Sequence, residues 1–221
     1  MFALSAFTLY SLWVVFLNTE GRFGPYLSPF YSPPINVRLG GFLIPPAIWV
    51  AWAPLSFRAT CYYYRKAYFR SFFWHPRSCG VSEHEQHPRR YRGETGFWIF
   101  NNFHRFALYV TVLQVGFLWY DALAQFVYRG AFHLGIGSVL MIVNVVALSG
   151  YTFGCHALRH LAGGAKDCFS CHRARYALWR GVTVLNVRHD RWAWVSLFTV
   201  GFTDLYIRLL IFGALPDAWW V

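Results

Sequence analysis

The chain has 221 residues, of which 57% are apolar, 21% aromatic and only 13% charged. Charge at about half its usual share cannot cover a soluble surface, and 22 Phe, 14 Tyr and 11 Trp suit lipid-facing helices with aromatic belts at the interfaces. Twenty Lys and Arg against nine Asp and Glu give +11, which in so apolar a chain marks the cytoplasmic side of a membrane; no nucleic-acid partner is expected.

Uncharged runs divide the chain in order: Met1 to Thr19, Leu39 to Phe57, Phe106 to Tyr120, Gly130 to Leu158, and Trp192 to Thr203. A span needs about 20 mostly apolar residues. The pattern predicts an all-α integral membrane protein, one transmembrane domain over 1–221 with about five helices near 2–18, 42–70, 99–127, 132–157 and 190–213. The first run lacks a basic flank and a small-residue cleavage site, so it reads as a span rather than a signal peptide. Pro45, Pro46 and Pro54 start or kink the second span, because proline removes a backbone donor. No internal repeat is evident.

Counting cations orients the bundle. Segment 58–97 holds Arg58, Arg65, Lys66, Arg70, Arg77, Arg89, Arg90 and Arg92; segment 155–191 holds Arg159, Lys166, Arg173, Arg175, Arg180, Arg188 and Arg191. Both are expected in the cytoplasm, with the N-terminus, in the plasma membrane of a bacterium. All five cysteines then fall at that face, together with His104, His156, His160, His172 and His189; His133 lies on the far side. Structural disulfides are not expected there, since the cytosol keeps thiols reduced. Thiols gathered with imidazoles point to a metal.

Cys155-His156-Ala157-Leu158-Arg159-His160 places two histidines at i and i+4, on one helical face beside a thiol. The plainer reading is two interfacial histidines snorkelling beside Arg159. Cys168-Phe169-Ser170-Cys171-His172 matches the c-type haem attachment pattern, although arginine-rich flanks hold it on the wrong side for that chemistry. It is otherwise a thiolate pair for iron or zinc, or a solvated reduced pair. Cys61 sits where the second span leaves the membrane, and Cys79 in the loop beyond.

Phe57-Arg58-Ala59-Thr60-Cys61-Tyr62-Tyr63-Tyr64-Arg65-Lys66-Ala67-Tyr68 resembles the membrane-anchor subunit of an actinobacterial type of succinate dehydrogenase. So do Tyr26-Leu27-Ser28-Pro29-Phe30-Tyr31-Ser32-Pro33, Asn102-Phe103-His104-Arg105, Tyr151 to His160 with Gly163-Gly164, and Asp204-Leu205-Tyr206-Ile207-Arg208, nearly the whole chain in order. The resemblance implies a haem-free anchor with a membrane-embedded Rieske-type [2Fe–2S] cluster beside a quinone site. The matching candidate ligands are Cys61, Cys79, Cys155, His156 and His160. A Rieske centre takes two cysteines on one iron and two histidines on the other, so one thiol is spare. Cys168, Cys171 and His172 stand outside the pattern as alternatives. Implied partners are a soluble iron–sulfur subunit and a flavoprotein subunit on the cytoplasmic face, where succinate is oxidised.

Neutral imidazole in place of thiolate raises a cluster into a window of roughly −150 to +300 mV, against about −400 mV for all-thiolate ferredoxins. That suits a quinone, menaquinone or ubiquinone. Tyr63, Arg65, Trp98, His104 and Arg105 lie near the right face to hydrogen-bond its carbonyls, with His104 able also to deliver a proton. Asp204 and Arg208, at i and i+4 in the fifth span, are expected to neutralise each other or to pair with Asp121. Competing readings are a haem b anchor using His104 and His156, a c-type cytochrome on Cys168, Cys171 and His172, a transporter, and a non-redox module with structural zinc.

Overall fold

The computed structural model describes residues 1–17, 20–73, 100–163, 168 and 170–216. Its elements are almost all helical: α1 (Phe2–Leu17), α2 (Pro46–Val50), α3 (Trp52–Thr60), α4 (Tyr62–Phe73), α5 (Phe100–Ala124), α6 (Ile136–Phe153), α7 (His156–Gly163), α8 (Arg173–Asn186) and α9 (His189–Ile211). Three two-stranded ribbons, β1–β2 (Arg22–Phe23, Tyr26–Leu27), β3–β4 (Val37–Leu39, Phe42–Ile44) and β5–β6 (Val127–Tyr128, Ala131–Phe132), close the turns.

Among the described residues three helices are long and apolar enough to cross a membrane: Phe103–Ala124, Ile136–Phe153 and His189–Ile211. The first expected span, near 2–18, is present as the apolar helix α1, and the second is not one continuous helix. The first apolar helix, Phe2–Phe16, is shorter. The second is broken into α2, α3 and α4, starting at Pro46 and interrupted at Cys61, whose ψ of 126° is extended rather than helical. α5 shows its lipid-facing character openly: Phe106, Tyr109, Val110, Leu113, Phe117, Tyr120 and Leu123 recur at helical spacing and are exposed.

α6 and α9 form the most extensive helix pair. Lipid offers no hydrophobic reward for helix association, so close approach through small residues has to hold such pairs together. Gly150 does this: a Cβ there would lie 2.5 Å from the Trp192 ring. Gly154, which caps α6, is packed against Leu185 of α8, and Asn186 Nδ2 donates to its carbonyl at 2.7 Å.

Chain direction sorts the bundle into two ends. α5 and α9 begin, and α6 finishes, at the end that carries α7 and α8; the turn over 20–45 and the β5–β6 ribbon lie at the other. At that far end Asp204 and Arg208 are buried and paired at 2.7 Å. Asp121 is not Arg208's partner. The sequence Ser28-Pro29-Phe30-Tyr31-Ser32 plugs both acids instead. Ser28 Oγ and Tyr10 Oη donate to Asp204, Ser32 Oγ donates to Asp121, and Tyr31 and Trp13 cover the Arg208 guanidinium. Arg208 also donates to the Glu20 carbonyl at 3.0 Å. Asp204 and Arg208 thus neutralise each other, as burial in lipid requires, while Asp121 is met by a hydroxyl.

Candidate metal centre

A cluster of Phe57, Cys61, Tyr64, Ala107, Leu108, Tyr151, Cys155 and Ala193 fills the opposite end of the bundle. Both thiols stand at joints between helices. Cys61 separates α3 from α4, and Cys155 separates α6 from α7, so each occupies the position just before a helix N-terminus. Free N–H groups and the positive end of the helix dipole favour an anionic sulfur there. The Ala157 N–H already points at Cys155 Sγ, 3.3 Å away. Burial wins while a proton is the only ligand: desolvation pushes the Cys155 thiol up to about 12 against the pull of the Ala157 N–H. A metal would have to displace that proton, which ties binding to pH.

Two histidines meet these thiols from other helices. His104 of α5 places Nε2 3.1 Å from Cys155 Sγ, and His189, the first residue of α9, places Nε2 3.8 Å from Cys61 Sγ. The two thiols lie within electrostatic reach of each other, and so do the two imidazoles. Two sulfurs and two nitrogens, from four separate elements, thus converge in the apolar core. They stand as two Cys–His pairs. Among the described residues no three His, Cys, Asp or Glu surround one point as a single-ion site.

The surroundings hold the imidazoles in a ligating form. Thr60 Oγ1 has one proton, and at 2.6 Å from the Ser56 carbonyl it donates that proton there. It therefore accepts from His104 Nδ1, 2.8 Å away, which leaves Nε2 with a lone pair aimed toward Cys155. Phe57 stacks on the His104 ring at 4.6 Å, fixing its plane. Tyr151 stacks on His189 at 5.0 Å. His189 Nδ1 and Tyr151 Oη are buried without a hydrogen-bond partner. Such orphaned polar atoms are costly in a finished core.

The remaining sequence-derived candidates fall elsewhere. His156 and His160 do share the α7 surface, but both are exposed, and neither hydrogen-bonds a thiol; His160 Nδ1 takes a 3.4 Å contact from Arg105. The break at Cys155 is the reason: the chain turns there, so α7 does not continue α6 and its histidines face outward. His104, expected to serve quinone, stands with Nε2 3.1 Å from Cys155 Sγ. His189, outside the expected ligand set, stands at the start of a span as His104 does. Tyr63 Oη accepts from Trp194 Nε1 at 2.7 Å, and Arg65 and Arg105 are half-buried nearby. Cys79 and Trp98 lie outside the described residues.

The Cys168–Cys171 pair departs from the expected reduced state. The two are joined in a disulfide, their Cα atoms 5.6 Å apart, well within the reach of such a bond. In that state they offer no thiolate to a metal, and His172 beside them is exposed.

The comparisons with known proteins agree with the architecture. A family model described as the actinobacterial succinate dehydrogenase subunit SdhC matches residues 1–213. A chain in the structure of the Mycobacterium smegmatis Sdh1 complex in the apo form superposes with a TM-score of 0.82 at 36% identity, over 100% of this chain and 88% of that one. A search of curated proteins gave no match. With its family model spanning almost the whole sequence and its fold shared with a subunit of an Sdh complex, this chain belongs to the actinobacterial SdhC family of succinate dehydrogenase membrane subunits.

Proposed function

We propose that the chain receives electrons from a soluble iron–sulfur subunit docked at its Cys/His end and passes them to a membrane quinone through a Rieske-type [2Fe–2S] centre. The observation that carries this reading is the convergence of Cys61, Cys155, His104 and His189. Two thiolates and two neutral imidazoles are the donor set of such a centre. The joints at Cys61 and Cys155 supply the thiolates from helix N-terminal positions, and Thr60 holds His104 in the tautomer that can ligate. The orphaned His189 Nδ1 and Tyr151 Oη also fit a core completed by a bound group. When bound, the cluster supplies one-electron transfer at a potential matched to quinone.

The chain's own residues shape the rest. Phe57, Tyr64 and Tyr151 exclude water around the donors. Tyr63, Arg65 and Arg105, grouped at the same end, are the proposed hydrogen-bonding groups for the quinone carbonyls. The flavoprotein and iron–sulfur subunits carry the succinate chemistry on the cytoplasmic side, which the arginine-rich segments mark.

Zinc is the reading to separate, because two cysteines and two histidines are also its structural donor set. The donors stand as two mixed Cys–His pairs, whereas a Rieske centre sorts two cysteines to one iron and two histidines to the other, so metal and sulfide analysis, not the pairing, separates the two readings. The test is the Cys61→Ser variant in the purified complex. Succinate oxidation with an artificial acceptor should persist while quinone reduction falls to background and acid-labile sulfide drops. Full quinone activity with sulfide unchanged would sink the proposal; loss of zinc instead would establish the alternative.

A further inference from the structure

Arg58 is a cation in the apolar interior with no acid to balance it among the described residues. It lies on α3, half-buried, one turn before Cys61. Its guanidinium donates to Tyr64 Oη and, at 3.1 Å, to Ser196 Oγ. It also sits 5.1 Å from the Tyr64 ring centroid and 5.0 Å from that of Tyr151. These partners are neutral. Asp190, the acid next to His189 in sequence, is not among them, and the buried Asp204–Arg208 pair is at the other end of the bundle. A lone guanidinium in such surroundings is expensive. By contrast, Arg208 has its carboxylate.

The rings show what Arg58 faces. Tyr151 has the guanidinium 5.0 Å from its centroid and is itself stacked on His189 at 5.0 Å, so the charge is no more than about 10 Å from the imidazole. We propose that Arg58 is a fixed counter-charge for the electron held at the Cys61–His189–Cys155–His104 site, raising its reduction potential. This rests on the reading above. Two ferric ions, two sulfides, two thiolates and two neutral imidazoles sum to zero charge. One electron from the soluble iron–sulfur subunit brings the centre to −1, and passing it to quinone restores zero. The electron is thus the missing negative partner of Arg58, present only in the reduced state. A unit charge about 10 Å away, at an effective dielectric constant of about 20, shifts that equilibrium on the order of tenfold. Arg58 acts through the site and is a tuning residue; it is not a ligand.

Potentiometric titration of the cluster's paramagnetic resonance signal in the purified complex tests this. Arg58→Gln should lower the midpoint by about tenfold in the oxidised-to-reduced ratio, or about 59 mV for one electron. Arg58→Met repeats the measurement if the glutamine variant does not assemble. Arg58→Lys keeps the charge but cannot fork to both Tyr64 and Ser196, so it should return the midpoint toward wild type. A lysine variant that behaves like glutamine would mean Arg58 only holds its neighbours in place, and an unmoved midpoint in all three would equally overturn the proposal. Absence of any Rieske-type signal in the wild-type complex would overturn both this inference and the reading beneath it.

Discussion

His189→Ala should abolish the cluster signal, while His156→Ala and His160→Ala leave it intact. His189 approaches Cys61 from the start of α9, whereas the two α7 histidines are exposed. Removing one of four ligands opens a coordination position that an apolar methyl cannot fill, so iron content and quinone reduction should fall together. Succinate oxidation by the soluble partners with an artificial acceptor should continue. Thr60→Val should give a milder result. It removes the group that fixes the His104 tautomer without removing a ligand, and losses of about 10- to 100-fold in metal affinity are typical of such partners. Thr60→Ser, which keeps the hydroxyl, should preserve occupancy. Visible and paramagnetic resonance spectra with iron analysis on the five purified variants check the series. A normal spectrum in His189→Ala, with loss in His156→Ala, would return the ligand role to α7.

The largest stability effect is expected at the far end of the bundle. Asp204→Ala strands the Arg208 guanidinium, buried and unable to deprotonate, together with the hydroxyls of Tyr10 and Ser28. Breaking a buried pair from one side costs about 3–5 kcal/mol. Arg208→Met should cost less, because Asp204 keeps the hydrogen bonds that Tyr10 and Ser28 donate to it. The double variant Asp204→Leu/Arg208→Met should recover part of the loss, since replacing both charges with apolar groups is often near neutral. Thermal unfolding of the purified complex under one detergent condition ranks the three. Equal stability of Asp204→Ala and the double variant would show that the pair contributes little.

Three of the spans were legible because their apolar runs are long and open just after an arginine, Arg105, Arg129 and Arg191. Pairing across the bundle was not legible. His104 meets Cys155 across 51 positions and His189 meets Cys61 across 128, so no local spacing encodes either contact. The i, i+4 spacing of His156 and His160 is visible in the sequence, yet it presumes a helix continuing through Cys155. The chain breaks there, so the spacing does not set the two histidines on a continuation of α6. His104 and His189 each stand at the start of a long apolar span, at the end where the cysteines gather, and that likeness is visible in the sequence. The run from Tyr26 to Pro33 had no evident role until the fold set Ser28 on Asp204 and Ser32 on Asp121. The bond between Cys168 and Cys171 went against an expectation drawn from the compartment rather than from the two-residue spacing itself.

Pulsed paramagnetic resonance of the reduced complex, carrying this subunit labelled with ¹⁵N-histidine, tests the central claim most directly. Two histidine nitrogens should couple strongly to a [2Fe–2S] centre whose midpoint lies within roughly −150 to +300 mV, and both couplings should change on labelling. His189→Ala should remove them. A reduced complex with no histidine-coupled iron–sulfur signal, or one whose couplings survive in His189→Ala, would contradict a centre held by Cys61, Cys155, His104 and His189.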